Sequence, residues 1–97
     1  MIVVAAKVTV LPGKRDAFIQ AAQPCIAATR REEGCLFYTL YGSTENENQL
    51  LYYEQWTSRD ALQRHLESAH MAAFGTAIAG IKEGELDVTI YDAKTID

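Results

Sequence analysis

Cys35-Leu36-Phe37-Tyr38-Thr39-Leu40-Tyr41-Gly42, then Ser43-Thr44-Glu45-Asn46-Glu47-Asn48, then Leu50-Leu51-Tyr52-Tyr53-Glu54-Gln55-Trp56-Thr57, is the stretch that decides the fold. Its first and last segments alternate and are rich in aromatic and aliphatic residues, which favour a pleated, half-buried surface. The middle segment is polar turn material. Residues 35–42 and 50–57 therefore read as a β-hairpin, the second and third strands of the chain.

Toward the N-terminus, Ile2, Val4, Ala6, Val8 and Val10 share one face and Lys7 and Thr9 the other, which predicts a first strand over Ile2–Val10. Pro12-Gly13 ends it. Phe18, Ala21, Ala22, Cys25, Ala28 and Thr29 then recur three or four apart, so a first helix runs from about Lys14 to about Glu32, with Gly34 able to close it in the left-handed conformation. Pro24 inside it predicts a kink or a local break, because proline removes one backbone donor and crowds the carbonyl four residues earlier. Toward the C-terminus, Thr57-Ser58-Arg59-Asp60 opens a second helix that carries Ala61, Leu62, His65 and Leu66 on one side. Ser68 caps a further helical piece bearing Met71, Phe74, Ala77, Ile78 and Ile81 up to Gly84. Glu85 to Tyr91, with Leu86, Val88 and Ile90 on one face, is the fourth strand.

The order β-α-β-β-α-β predicts an α+β, ferredoxin-like fold: a four-stranded antiparallel sheet with both helices on one face, formed by residues 1–97 as a single domain. The other face cannot be purely polar, because Tyr52 and Trp56 alternate with Leu51 and Tyr53. Its expected cover is the same face of a second subunit, making a homodimer in which two sheets close into a dimeric α+β barrel.

The 97 residues, 48% hydrophobic and 23% charged, exclude a disordered tail or a collagen. A net charge of −4 argues against nucleic acid as a partner, since that requires a basic face. Cys25 and Cys35 are too few for a disulfide framework and read as reduced thiols, which suits a cytoplasmic protein. The apolar opening Met1–Ala6 meets Lys7 at once and reads as neither a signal peptide nor a membrane span, so no membrane partner is expected.

Four fragments carry a resemblance: Pro12-Gly13 after the first strand, Glu33-Gly34-Cys35-Leu36-Phe37-Tyr38 entering the second, Tyr53-Glu54-Gln55-Trp56 ending the third, and Ala61-Leu62, His65-Leu66, Ser68, His70 and Phe74 beyond it. In order and spacing the chain resembles the antibiotic biosynthesis monooxygenase family, small dimeric α+β barrel proteins, from about Val3 to about Ile90. The resemblance implies cofactor-free oxygenation of a small aromatic quinol or polyphenol. The substrate loses a proton and its anion itself reduces O2, so that no flavin or metal is needed, only a dry pocket, a base and donors for the developing charge. Similar sequences also include a signal-molecule isomerase, haem-degrading relatives and proteins without an established substrate. A non-catalytic small-metabolite binding dimer and an isomerase are therefore the alternative readings.

His65 is the candidate base, since an imidazole titrates near neutrality and its helix position sets it beside Ala61 and Leu62. Against this stands a partly buried histidine satisfied by a backbone carbonyl. His70 lies five residues further on, across the break at Ser68. The pair lacks the i, i+4 spacing of two metal ligands on one helical face, so no metal site is expected; His70 reads as capping or orienting its helix, and its functional reading is a substrate-binding residue of the pocket. Trp56 can donate its indole N–H to an oxyanion or serve as core. Glu54 shares a face with Trp56 and, if buried, must be paired, which reads as an inter-strand or inter-subunit hydrogen bond rather than catalysis. Tyr38 is the preferred pocket tyrosine on a face shared with Leu36 and Leu40. Tyr53 is expected to shape the same pocket and Phe74 to seal it from the helix side, although the pattern leaves open which sheet face meets the helices. In the haem-degrading relatives an asparagine, a tryptophan and a histidine are required where this chain has approximately Ala6, His65 and Gly75, so haem is disfavoured. No nucleophile triad, GxGxxG or P-loop occurs, so no nucleotide cofactor is expected.

Overall fold

The computed structural model describes residues 1–97. β1 (Ile2–Thr9) lies inside the sheet, and its alternation turns Ile2, Val4, Ala6 and Val8 into the core. β3 (Gln49–Trp56) pairs with it on one side, β4 (Asp87–Asp92) on the other, and β2 (Cys35–Gly42) pairs with β3 at the edge, giving the order β2-β3-β1-β4. Every pairing is antiparallel. In register, Val4 stands between Glu54 and Ile90, and Ala6 between Tyr52 and Val88. One sheet face thus carries Tyr38, Tyr52, Glu54 and Trp56 with the inward residues of β1.

Three helices cover that face. α1 (Arg15–Arg30) buries Phe18, Ala22, Cys25, Ile26 and Thr29. Phe18, fully enclosed, meets Tyr52 and Phe74 edge-on at ring-centroid distances of 6.4 and 5.6 Å. Burying an aromatic side chain of this size contributes about 2 kcal/mol, and the edge-to-face pairs add to it. α2 (Arg59–Leu66) begins at Ser58, whose hydroxyl accepts from Ala61 N–H. α3 (Ala69–Ile78) begins at Ser68, whose hydroxyl accepts from Met71 N–H and donates to the carbonyl of His65. The second helix of the expected order is thus two, joined at a serine that closes one and opens the next. No helix is long and apolar enough to cross a membrane.

The structure moves several expected details. α1 runs unbroken through Pro24, because the proline sits on the exposed side, where water can serve the carbonyl it leaves free. The helix ends at Arg30, which places Glu32 in the following turn. Strand pairing ends at Thr9, with Val10 only bridging Lys82, and β4 begins at Asp87 rather than Glu85. A bulge between Cys35 and Phe37 takes Leu36 off the face it was expected to share with Tyr38 and leaves it exposed.

Candidate active site

Between the sheet and helices α2 and α3 lies a cavity of about 200 Å3. Val4, Ala6, Tyr38, Tyr52 and Glu54 form its floor, Leu62, His65, Met71 and Phe74 its roof, and Val88 and Ile90 of β4 one side. Leu66, Val88 and Ile90 are each about half exposed, so the cavity meets solvent along the β4 edge. Almost every wall is apolar. Polar groups on such a wall act in a weakly screened setting, where their effect on a bound molecule is greatest.

His65 is 1% exposed and held from behind. Its Nδ1 lies 2.7 Å from Oε2 of Glu32, and the same oxygen receives Nε2 of His70 at 2.9 Å. Gly34 makes this approach possible. Its φ is +90°, and a Cβ there would stand 2.5 Å from the Cβ of Ala61, so only glycine lets the turn after Glu32 lie against α2. A carboxylate oxygen can only accept, so the bond places the proton of His65 on Nδ1 and leaves Nε2 as the lone-pair nitrogen. Nε2 makes no hydrogen bond within the chain and belongs to a residue that lines the cavity. Burial pulls the imidazole below its ordinary value, with the Glu32 bond opposing and His70 adding slightly, so the neutral form is favoured.

The three side chains could be taken for metal ligands, since their donor atoms all lie within 4.8 Å of one another. Ligands about 2 Å from a tetrahedral cation stand more than about 3 Å apart, and here the two oxygen–nitrogen separations are those of hydrogen bonds. His65 and His70, whose spacing denies them one helical face, nonetheless come together. The turn at Ser68 redirects α3, and the two rings come within 6.0 Å, joined through Glu32.

Trp56 is wholly buried behind the wall rather than on it. Its indole N–H, expected to be free for an oxyanion, donates to Oε1 of Glu54 at 2.9 Å, and its ring lies against His65 with centroids 4.7 Å apart. Glu54 is therefore paired two residues along its own strand. Burial pushes its carboxyl up to about 7; the indole bond lowers it in part, and the charge of Glu32 adds to the rise.

Tyr38 and Phe74 line the cavity beside His65, and the Tyr38 and His65 rings are 5.3 Å apart. Tyr53 does not join them. It points to the opposite sheet face, where it meets Phe37 and accepts a hydrogen bond from Gln55. A one-residue step along a strand reverses the face, which is why Tyr52, not Tyr53, reaches the cavity. His70 also stands off the wall and touches the site through Glu32.

Residues 1–77 match the sequence model of the family described as antibiotic biosynthesis monooxygenase. The chain belongs to this family. It is 34% identical over 88 residues to the protein named Putative monooxygenase YcnE of Bacillus subtilis, covering 91% of this chain and 93% of that one. It is 31% identical over 90 residues to the uncharacterized protein sll1783 of Synechocystis, covering 93% of this chain but only 61% of that longer protein. A solved structure from Caulobacter crescentus, described as a putative antibiotic biosynthesis monooxygenase, superposes with a TM-score of 0.92 at 29% identity, over 97% of this chain and 90% of that one.

Within this monooxygenase-family frame, Glu32, Tyr52 and the cavity-facing side of Glu54 are the members of the site that sequence reasoning did not single out. Tyr52 and Glu54 were legible by strand parity with Trp56, once that face was known to meet the helices. Glu32 carried no signal of its own, being one of two adjacent glutamates in a turn.

Proposed function

We propose that the protein is a cofactor-independent monooxygenase that oxidises a small aromatic quinol or polyphenol with O2. The observation that supports this most directly is the Glu32–His65 pair, an oriented and neutral imidazole set at an apolar cavity large enough for one or two fused rings. A hydroxyl seated there passes its proton to Nε2 of His65, and the imidazolium formed is stabilised by Glu32 from behind. The ring anion then reduces O2: one oxygen atom enters the ring, and the other leaves with two hydrogens as water. Apolar walls favour this sequence by excluding solvent from the reactive anion.

In this reading the working form is a homodimer. Phe37, Tyr41, Leu51 and Tyr91 are each exposed on the outer sheet face, and Tyr53 stands among them. A second copy presenting the same surface gives them cover and closes the dimeric barrel.

Oxygen uptake by the purified protein against a panel of quinols, with spontaneous oxidation subtracted, tests the activity. Saturable uptake that falls at least about 10²-fold in His65→Ala supports it. Ligand binding without any uptake turns the reading to a small-metabolite binding dimer, and oxygen-independent conversion of a ligand turns it to an isomerase.

A further inference from the structure

Glu54 is the acidic side chain on the cavity wall, and proton abstraction by His65 leaves it without a task. The residue is 6% exposed, and its Oε1 is held by the indole of Trp56. The second oxygen, Oε2, has no partner in the chain and is not among the sealed-off polar atoms, of which the Tyr52 hydroxyl is the example. No lysine or arginine lines the cavity. A carboxyl buried without a cation holds a proton far more readily than one in water. The Trp56 ring also lies against His65, so one indole fixes the position of both groups.

We infer that Glu54 is the proton donor of the site and works on the same bound ring as His65. This rests on the oxygenase reading above. His65 Nε2 takes the hydroxyl proton of the quinol. The ring anion passes two electrons, one at a time, to O2 and forms a carbon–oxygen bond, leaving a peroxide anion on a ring carbon that still bears hydrogen. Glu54 protonates that anion to a hydroperoxide and becomes a carboxylate. The carboxylate then removes the hydrogen of the same carbon as a proton, and those bonding electrons form the new carbonyl as the O–O bond breaks. The departing hydroxide takes the proton held on His65 and leaves as water. Both residues are back in their starting states.

Burial places Glu54 close to neutrality, at about 7, where a carboxyl can both give and take a proton. The titratable groups around it are Tyr38 across the β2 pairing, Tyr52 on its own strand, His65 of α2, Glu32 in the turn, and the thiols Cys25 of α1 and Cys35. Of these, Glu32 supplies charge that raises Glu54 further.

Glu54→Gln tests the role, because the amide oxygen can still accept from Trp56 while the proton is gone. Anaerobic quinol binding is read from the fluorescence of Trp56, the chain's single tryptophan, and turnover from oxygen uptake between pH 6 and 9. The expected result is unchanged binding, a fall in rate of about 10²-fold, and loss of the decline that the wild type shows as pH rises through about 7. Equal rates and equal pH profiles for the two proteins overturn the assignment and leave Glu54 as a support for Trp56, with the oxygenase reading intact. A wild type that binds quinols but takes up no oxygen overturns that reading instead, and this role with it. Should the variant not fold, the wild-type profile decides: a rate that does not decline up to pH 9 overturns the proposal, and a decline centred near 7 supports it.

Discussion

Glu32 and His65, 33 positions apart in the chain, are joined by a hydrogen bond of 2.7 Å between Oε2 and Nδ1. A carboxylate behind an imidazole selects the tautomer and stabilises the cation formed on proton uptake. Glu32→Gln presents either an amide oxygen or an amide nitrogen to Nδ1 and removes the charge. The rate of quinol oxidation is expected to fall about 10²-fold or more, with quinol binding changed by less than about threefold. Oxygen uptake and anaerobic fluorescence titration measure the two quantities. A binding loss as large as the rate loss would mean that Glu32 shapes the cavity rather than the base.

The state of Glu54 also sets a dependence of stability on pH. Its folded value is raised from 4.5 to about 7, so the folded protein binds more protons than the unfolded chain between those values. The stabilisation this gives is fully present below about 4.5 and is lost as pH rises through about 7. A glutamine does not titrate. Glu54→Gln is therefore expected to match the wild type near pH 4 and to exceed it at pH 8 by an amount on the order of 3 kcal/mol. Urea denaturation at both pH values checks the difference, from which the opposing shift at His65 cancels because both proteins share it.

Gly34 links backbone conformation to the site. Its φ of +90° disfavours any side chain, and a Cβ would meet both Ala61 and the Thr57 hydroxyl, at 2.5 and 2.9 Å. Gly34→Ala is expected to destabilise the fold by about 2 kcal/mol or more. Because the turn must move away from α2, Glu32 moves with it, and activity should drop further than the melting temperature explains. Gly80→Ala, where an added Cβ meets nothing within 4 Å, is the matched control and is expected to leave both unchanged.

The fold was legible because each element carries its own period: the 35–42 and 50–57 alternation specifies a hairpin, and serines at 58 and 68 mark the helix starts where the structure has them. Local pattern was less informative wherever the outcome depended on what an element packs against. Pro24 predicts a kink or a local break, yet it faces water, and the helix continues without a break. Leu36 reads as a partner of Tyr38, yet a bulge turns it outward. Within the site, His65, Tyr38 and Phe74 follow from apolar faces that converge on one core. Placing Tyr53 on the cavity was a parity error, since the pattern could not say which face the helices cover. Glu32 was out of reach for a different reason: it comes to His65 only through the packing of α1, the Gly34 turn and α2 against one another.

The outer sheet face carries the last prediction. Phe37, Tyr41, Leu51 and Tyr91 are 40, 48, 38 and 52% exposed there, and an apolar, aromatic surface of this kind is unfavourable in water without a partner. Light scattering is expected to give twice the 10.8 kDa chain mass at micromolar concentration, and the double variant Phe37→Glu, Leu51→Glu to give a single chain. A wild type that stays monomeric would remove the barrel dimer from the proposal. The cavity makes a sharper demand of the variant. Thirteen residues of a single chain already line it, so a folded monomer should still bind quinol. If dimer closure is what keeps the sheet floor rigid and water out, that monomer should lose rate while keeping affinity; parallel loss of both would place part of the binding surface in the second subunit.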